Sequence, residues 1–357
     1  MLFRKFKSAG ALFMSASLLF IFQLSALGQR PGMNRAPSDY PPAHDPVVAF
    51  CEGKYYLFTT GYGVGVMSSG DMKTWKMEKS ALDPIPQWAL ESVPGYRGHT
   101  WAPDILYHDG LWYLYYSCSS FGKNSSAIGV ATNKTLNPES PDFKWVDHGQ
   151  VVASVPGRDN WNAIDPNVFV DSDGSAWMTF GSFWGGIKLV RLDGSLLRVA
   201  QPEEWYGLCF RPKGTLPSYD EPDTAIKPDP RGEIFDPGEG AVEAPFIFKK
   251  GDWYYLFVSY DLCCRGEKST YKVVVGRSDK VTGPYYDHKG VSLMQGGGTI
   301  VVEGDRRYAG VGHSATVSFG GKDYLFFHGY DMSDASRAHL LVREIVWDED
   351  LWPKVRL

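Results

Sequence analysis

Leucine-rich helical periodicity is scarce in this chain, so a helical bundle is set aside at the outset. Cysteine is sparse as well. The five cysteines, at 51, 118, 209, 263 and 264, are odd in number, scattered and without a CxxC pair, which excludes a disulfide framework and a thiolate metal site. Cys51 and Cys118 fall in strand patterns and read as small buried hydrophobes, whereas the adjacent Cys263-Cys264 pair is unusual. The formal net charge of −5 leaves no basic footprint, so nucleic acid is not an expected partner. Phosphate-binding glycine loops are missing too: GYGVG at 61–65 is too short and follows a hairpin strand. No Ser-His-Asp or Cys-His pairing suggests acyl transfer.

What is abundant is aromatic. Phe, Trp and Tyr make up 15% of the chain, and 39 Gly and 23 Pro accompany them, a composition of strands and turns. The N-terminus carries Arg4, Lys5 and Lys7, then an apolar stretch at 9–24, then Ala26-Leu27-Gly28. That order predicts a secretory signal peptide over 1–28, with an uncleaved signal anchor as the alternative. Since no cysteine follows, a lipoprotein anchor is not supported. The expected product is secreted or periplasmic, with no stable membrane partner after cleavage. Residues 29–40 read as a Pro-rich linker and 41–357 as one catalytic domain.

Five segments of that domain share one plan: apolar strand, tight turn with Gly, aromatic strand. They occupy 44–61, 102–117, 164–182, 242–259 and 312–329, with turn glycines Gly53, Gly110, Gly174, Gly251 and Gly321. Shorter strands lie between them. Five such units, none able to bury both faces alone, predict an all-β, five-bladed β-propeller. A β-sandwich is the rival architecture, but it does not explain the recurrence of one hairpin at long, irregular spacing.

Counting back eight or nine residues from each turn glycine gives Asp45, Ala102, Asp165, Glu243 and His313, with Trp101 and Asp104 flanking the second. Four of the five are ionisable in an otherwise apolar setting, and radial symmetry would gather them at one mouth of the channel. One Asp before Pro is ordinarily a strand-start residue bonding its own backbone. Four ionisable residues in register suit acid–base chemistry better, because burial and like charge separate carboxyl pKa values. Trp101, Phe121, Trp161, Phe183 and Trp184 lie near these positions, each readable as blade packing but together suited to stacking on sugar rings.

These residues resemble glycoside hydrolase family 43, and within it the endo-α-1,5-L-arabinanase branch. The resemblance is carried by HDP (44–46), HTWAPD (99–104), NAIDPNVF (162–169), GSFWGGI (181–187), EAPFI (243–247), LCCRGEKSTYKVVVGRS (262–278) and GHSA (312–315). It implies an inverting hydrolase cleaving α-1,5-L-arabinofuranosidic linkages in arabinan, a pectin side chain. Asp45 matches the general base, Glu243 the general acid and Asp165 the carboxylate that tunes the acid. His44, Trp101, Asp104, Phe121, Asn162, Asn167, Ser182, Phe183, Trp184 and Arg265 are implied substrate contacts. His313 is implied to sit near a metal, calcium with a mostly water shell, although an imidazole alone is a poor calcium ligand. A monomer is expected. Two departures stand out: GHSA lacks the Asn that often follows this His, and 201–240 reads as a polar insertion that leaves endo or exo action open. An exo-acting α-L-arabinofuranosidase or β-xylosidase, and a non-catalytic glycan-binding propeller, are the alternative readings.

Overall fold

A computed structural model describes residues 40–211 and 241–357. The expected signal peptide, and the linker up to residue 39, lie outside the described residues. Among the described residues, almost all of the regular secondary structure is strand. Blade one contains β1 (Val47–Cys51) and β2 (Lys54–Thr59); β3 (Gly61–Tyr62) crosses to blade two, and β4 (Gly65–Ser69) and β5 (Lys76–Met77) complete blade one. After α1 (Gln87–Ser92), blade two contains β6 (His99–His108), β7 (Leu111–Cys118), β8 (Ser126–Asn133) and β9 (Val146–Ser154). Blade three contains β10 (Asn167–Val170), β11 (Ala176–Phe180), β12 (Ile187–Leu192) and β13 (Trp205–Cys209). Blade four contains β14 (Val242–Lys250), β15 (Trp253–Tyr260), β16 (Lys272–Ser278) and β17 (Thr299–Glu303). Blade five contains β18 (Tyr308–Phe319), β19 (Lys322–Asp331) and β20 (Arg337–Glu344), and a ribbon of β21 (Val346–Trp347) and β22 (Pro353–Lys354) follows. The five-bladed propeller is the observed architecture.

The inner strands are apolar on both faces because each blade is packed between two others. On β15, Tyr254, Leu256 and Val258 enter one core with Ile187 and Leu189 of blade three. The alternate Tyr255 and Phe257 enter another with Val311 and Leu325 of blade five. Period-two alternation therefore sorts side chains between two cores rather than between core and water. The ring closes across the chain ends. Ala43 donates its amide to the Ala338 carbonyl at 3.1 Å, and Leu340 donates to the Pro41 carbonyl at 3.0 Å, giving β20 an edge partner from the N-terminal side.

One sequence expectation needs correction. The segment 201–240 is not wholly an insertion: β13 is the outer strand of blade three, pairing Trp205 with Val190 and Tyr206 with Leu189. As an edge strand it exposes one side, and its polar flanks disguised it as loop. Residues 212–240 lie outside the described residues.

Candidate active site

Each inner hairpin begins with a residue held in left-handed backbone: Asp45 (φ 54°), Ala102 (33°), Asp165 (59°), Ala244 (56°) and His313 (50°). At non-glycine residues this conformation costs on the order of 1–3 kcal/mol each, so something must hold it. What holds it is the preceding blade. The Ala102 amide donates to Thr60 Oγ1 (2.9 Å), Asp165 to Ser117 Oγ (3.0 Å), His313 to Ser259 Oγ (2.8 Å) and Asp45 to His328 Nδ1 (3.1 Å). Blade three breaks the pattern, because its equivalent position is Gly181, which pairs with Ile164. A Cβ there would stand 2.6 Å from the Gly186 carbonyl oxygen. With no side chain available, the Asp165 carboxylate itself accepts the Ala244 amide at 3.1 Å. Asp165 is thereby fixed beside Glu243.

This geometry refines the repeat count. Glu243 is not equivalent to Asp45 and His313; Ala244 is, and Glu243 precedes it by one residue. The cause is the turn. Cys51 pairs with Lys54 and Lys250 with Trp253, so Gly53 is the second turn residue while Gly251 is the first. Counting from glycine therefore slipped by one in blade four.

Asp45, on blade one, sits in a nest of donors. Thr60 Oγ1 donates to its Oδ2 at 2.5 Å, and His44 Nδ1 and His313 Nδ1 lie 2.8 and 3.1 Å from its Oδ1. Burial alone would raise its pKa, but His44 and His313 outweigh burial and hold it well below the ordinary carboxylate value. His313 is correspondingly raised to about 9, with Asp45 overcoming burial. Glu243, on blade four, accepts from Ser182 Oγ at 2.7 Å and hydrogen-bonds Tyr271. Burial nonetheless pushes it above its usual value. Asp165 is pushed up by burial and further by the Glu243 and Asp45 charges. The site thus sets one carboxylate whose pKa is pulled down beside two carboxyls whose pKa values are pushed up.

These groups open into one cavity of about 560 Å³. Asp45, Asp165, Glu243, His44, Trp101, Phe121, Asn162, Ser182, Phe183, Trp184, Arg265 and His313 all line it. Phe121 is 79% exposed, a ring free to meet a ligand. Cys263 and Cys264 are joined to each other and form part of the wall, with Cys264 donating its amide to the Tyr330 hydroxyl at 2.7 Å.

Asp104 and Asn167 do not line it. Each lies two residues beyond a left-handed position and ties its blade to the next. Asp104 Oδ2 accepts the Val168 amide at 2.7 Å and Asn167 Nδ2 at 3.2 Å, and Asn167 Oδ1 accepts the Ile247 amide at 2.8 Å. Burial raises Asp104 to about 6. Trp161, expected at the same rim, faces a different cavity. Sequence reading missed Thr60, His328 and Tyr271. Tyr271 was inside a quoted motif, but Thr60 directly follows a second strand and His328 lies on one, where nothing local marks them.

Among the described residues, one cluster brings metal-capable atoms within 4.8 Å: His44, Asp45 and His328. It offers one carboxylate and two imidazoles, and His313 already faces Asp45. Calcium takes about six to eight oxygens, so this donor set does not fit it unless water fills most of the shell.

A profile of the family described as Glycosyl hydrolases family 43 matches residues 41–353. An extracellular exo-α-(1→5)-L-arabinofuranosidase of Cellvibrio japonicus is 46% identical over 312 residues, covering 87% of this chain and 86% of its own. An extracellular endo-α-(1→5)-L-arabinanase of Bacillus subtilis is 38% identical over 314 residues, with 87% and 86% covered. The crystal structure of an exo-1,5-α-L-arabinanase from a bovine ruminal metagenomic library superposes with a TM-score of 0.80 at 47% identity, covering 90% of this chain and 99% of that one.

Proposed function

The chain belongs to glycosyl hydrolase family 43, and on that premise we propose that it hydrolyses α-1,5-L-arabinofuranosidic bonds of arabinan with inversion. The observation that carries the reading is the contrast inside one cavity: His44 and His313 hold Asp45 well below the ordinary carboxylate value, while burial pushes Glu243 and Asp165 above theirs. Blades one and four are not neighbours in the ring, which leaves room between base and acid for sugar and water. Inversion asks for a carboxyl separation of about 6.5–9.5 Å. Asp45 takes a proton from water as the water oxygen bonds the anomeric carbon. Glu243 gives its proton to the departing glycosidic oxygen. The cycle leaves Asp45 protonated and Glu243 ionised, and exchange with solvent restores both. Burial keeps negative charge on Glu243 unfavourable and so favours its acid form, while the Ala244 amide fixes Asp165 beside it.

Exo action is the finer reading, in place of the endo action that the sequence motifs put first. Two relatives named as exo enzymes share 46–47% identity with the chain, and relatives named as endo enzymes share less, 38% for that of Bacillus subtilis and 39% for that of Bacillus licheniformis. Arabinose alone in the first minutes of digestion supports exo action, and a ladder of oligomers supports endo action. Asp45→Asn and Glu243→Gln should each lower kcat by roughly 10²–10⁴-fold with the fold intact. Unchanged turnover in either variant would sink the assignment. The Cellvibrio japonicus and Bacillus subtilis relatives are both called extracellular, which supports secretion. A water-shelled calcium near His313 remains a proposal; dialysis against EDTA that leaves thermal unfolding and activity unchanged would remove it.

A further inference from the structure

Trp161 is the ring that the catalytic cleft does not use. It lines a second cavity, of about 930 Å³, where its ring lies 5.4 Å from that of Trp205 at 31°. Both indoles stand edge-on to the buried Phe180, at 5.4 and 5.9 Å. Trp205 Nε1 is fixed on Glu203 Oε2 at 2.7 Å. The pair is therefore oriented in advance, yet both rings stay half-buried rather than fully covered.

The polar lining is of two kinds. Arg158 and Asp159 are spent on each other at 2.6 Å, and Glu203 is spent on Trp205. Gln150 on β9 and Arg198 between β12 and β13 are exposed, and among the described residues neither side chain has a hydrogen bond or ion pair. Indole surface with uncommitted donors, beside acids already satisfied, suits a neutral polyhydroxylated chain.

Position says which chain. The loops that wall the catalytic cleft also wall this groove: residues 120–123, Asn162, Ile164 and Asp165 line the cleft, while residues 125–127, Arg158, Asp159 and Trp161 line the groove. Asn124 Nδ2 ties the two loops into one ridge, donating to the Asp159 and Trp161 carbonyls at 3.2 and 3.3 Å. A polymer leaving the cleft over that ridge meets the indoles next. Building on the arabinan reading, we propose that the groove between blades two and three is a second polysaccharide-binding site, holding a stretch of the same neutral pentose polymer away from the bond being cut.

The test uses the full chain. Trp205→Ala and the surface double variant Gln150→Ala/Arg198→Ala are compared with wild type on linear arabinan and on arabinotriose. Electrophoresis through gels containing linear arabinan, xylan or polygalacturonate follows, in a Glu243→Gln background. Expected is a roughly three- to tenfold rise in KM on the polymer, the scale of a lost aromatic contact, with arabinotriose kinetics unchanged and retardation by arabinan reduced. The double variant leaves the Phe180 packing untouched, so misfolding of Trp205→Ala cannot imitate the result. Unchanged polymer KM in the double variant overturns the proposal, as does an equal loss on arabinotriose. Retardation by polygalacturonate alone overturns it in favour of an acidic ligand. If arabinotriose is hydrolysed but arabinan retards no variant differently, the groove fails and the proposed activity stands. If arabinan retards the protein through these residues but is never cut, the activity fails and the groove stands.

Discussion

Ser182→Ala isolates a hydrogen bond that lowers the proton affinity of Glu243, the proposed general acid, against the effect of burial. Ser182 Oγ donates to Glu243 Oε2 at 2.7 Å, and both residues are buried. A hydroxyl bonded to a carboxylate is worth about 1.5–3 kcal/mol, and one bonded to the neutral acid about 0.5–1.5. The difference, roughly 1–1.5 kcal/mol, favours the ionised form and equals about one pH unit. Removing the donor withdraws that preference, so the Glu243 pKa rises further. Because the acid must be protonated to work, the alkaline limb of kcat/KM should move up by about one unit. Loss of this buried bond should also lower stability, by about 0.5–3 kcal/mol, without unfolding the chain. The assay is kcat/KM against pH on a linear arabino-oligosaccharide, with thermal unfolding run alongside. An alkaline limb that stays put, or moves to lower pH, would refute either the role of Glu243 or the direction of this bond.

Two further substitutions probe the layer beneath the acids. In Gly312→Ala the new Cβ would stand 2.2 Å from Tyr271 Cδ1, so the ring that hydrogen-bonds Glu243 must shift. A stability loss of about 1–3 kcal/mol is expected in denaturant titration, together with a fall in kcat. Ser259→Ala leaves the buried His313 amide without its acceptor at 2.8 Å, at a cost of about 1–3 kcal/mol in the same titration. Ser259→Thr, which keeps the hydroxyl, should recover most of that loss; equal destabilisation by both would discard the bond as the cause.

Much of this was legible in the sequence because it is local. The hairpin repeat needs only an apolar run, a turn and an aromatic run, and each unit states its own need for neighbours on two sides. The acids lie near strand starts, so their convergence follows from the repeat once the ring is assumed. The errors were one-residue and two-residue errors with large consequences. Asn162 lines the cleft and Trp161 the neighbouring groove, because adjacent residues on an extended loop point apart. Asp104 and Asn167 look like Asp45 and Asp165 in the text, but two residues deeper they meet the amides of the next blade rather than the channel mouth.

The sequence by itself determined the number of blades, the strand-start positions of the candidate acids and the apolar character of both blade faces, since these depend on residue type and short-range order. Tertiary structure decided which way the proton affinity of each acid moves. Asp45 is ionised because blade five supplies His313 beside it and blade one supplies Thr60. Asp165 is turned toward Glu243 because Gly181 leaves an amide that no other side chain of blade three reaches. Proton affinity depends on burial and on neighbours a few ångströms away, and those neighbours come from blades far apart in the chain.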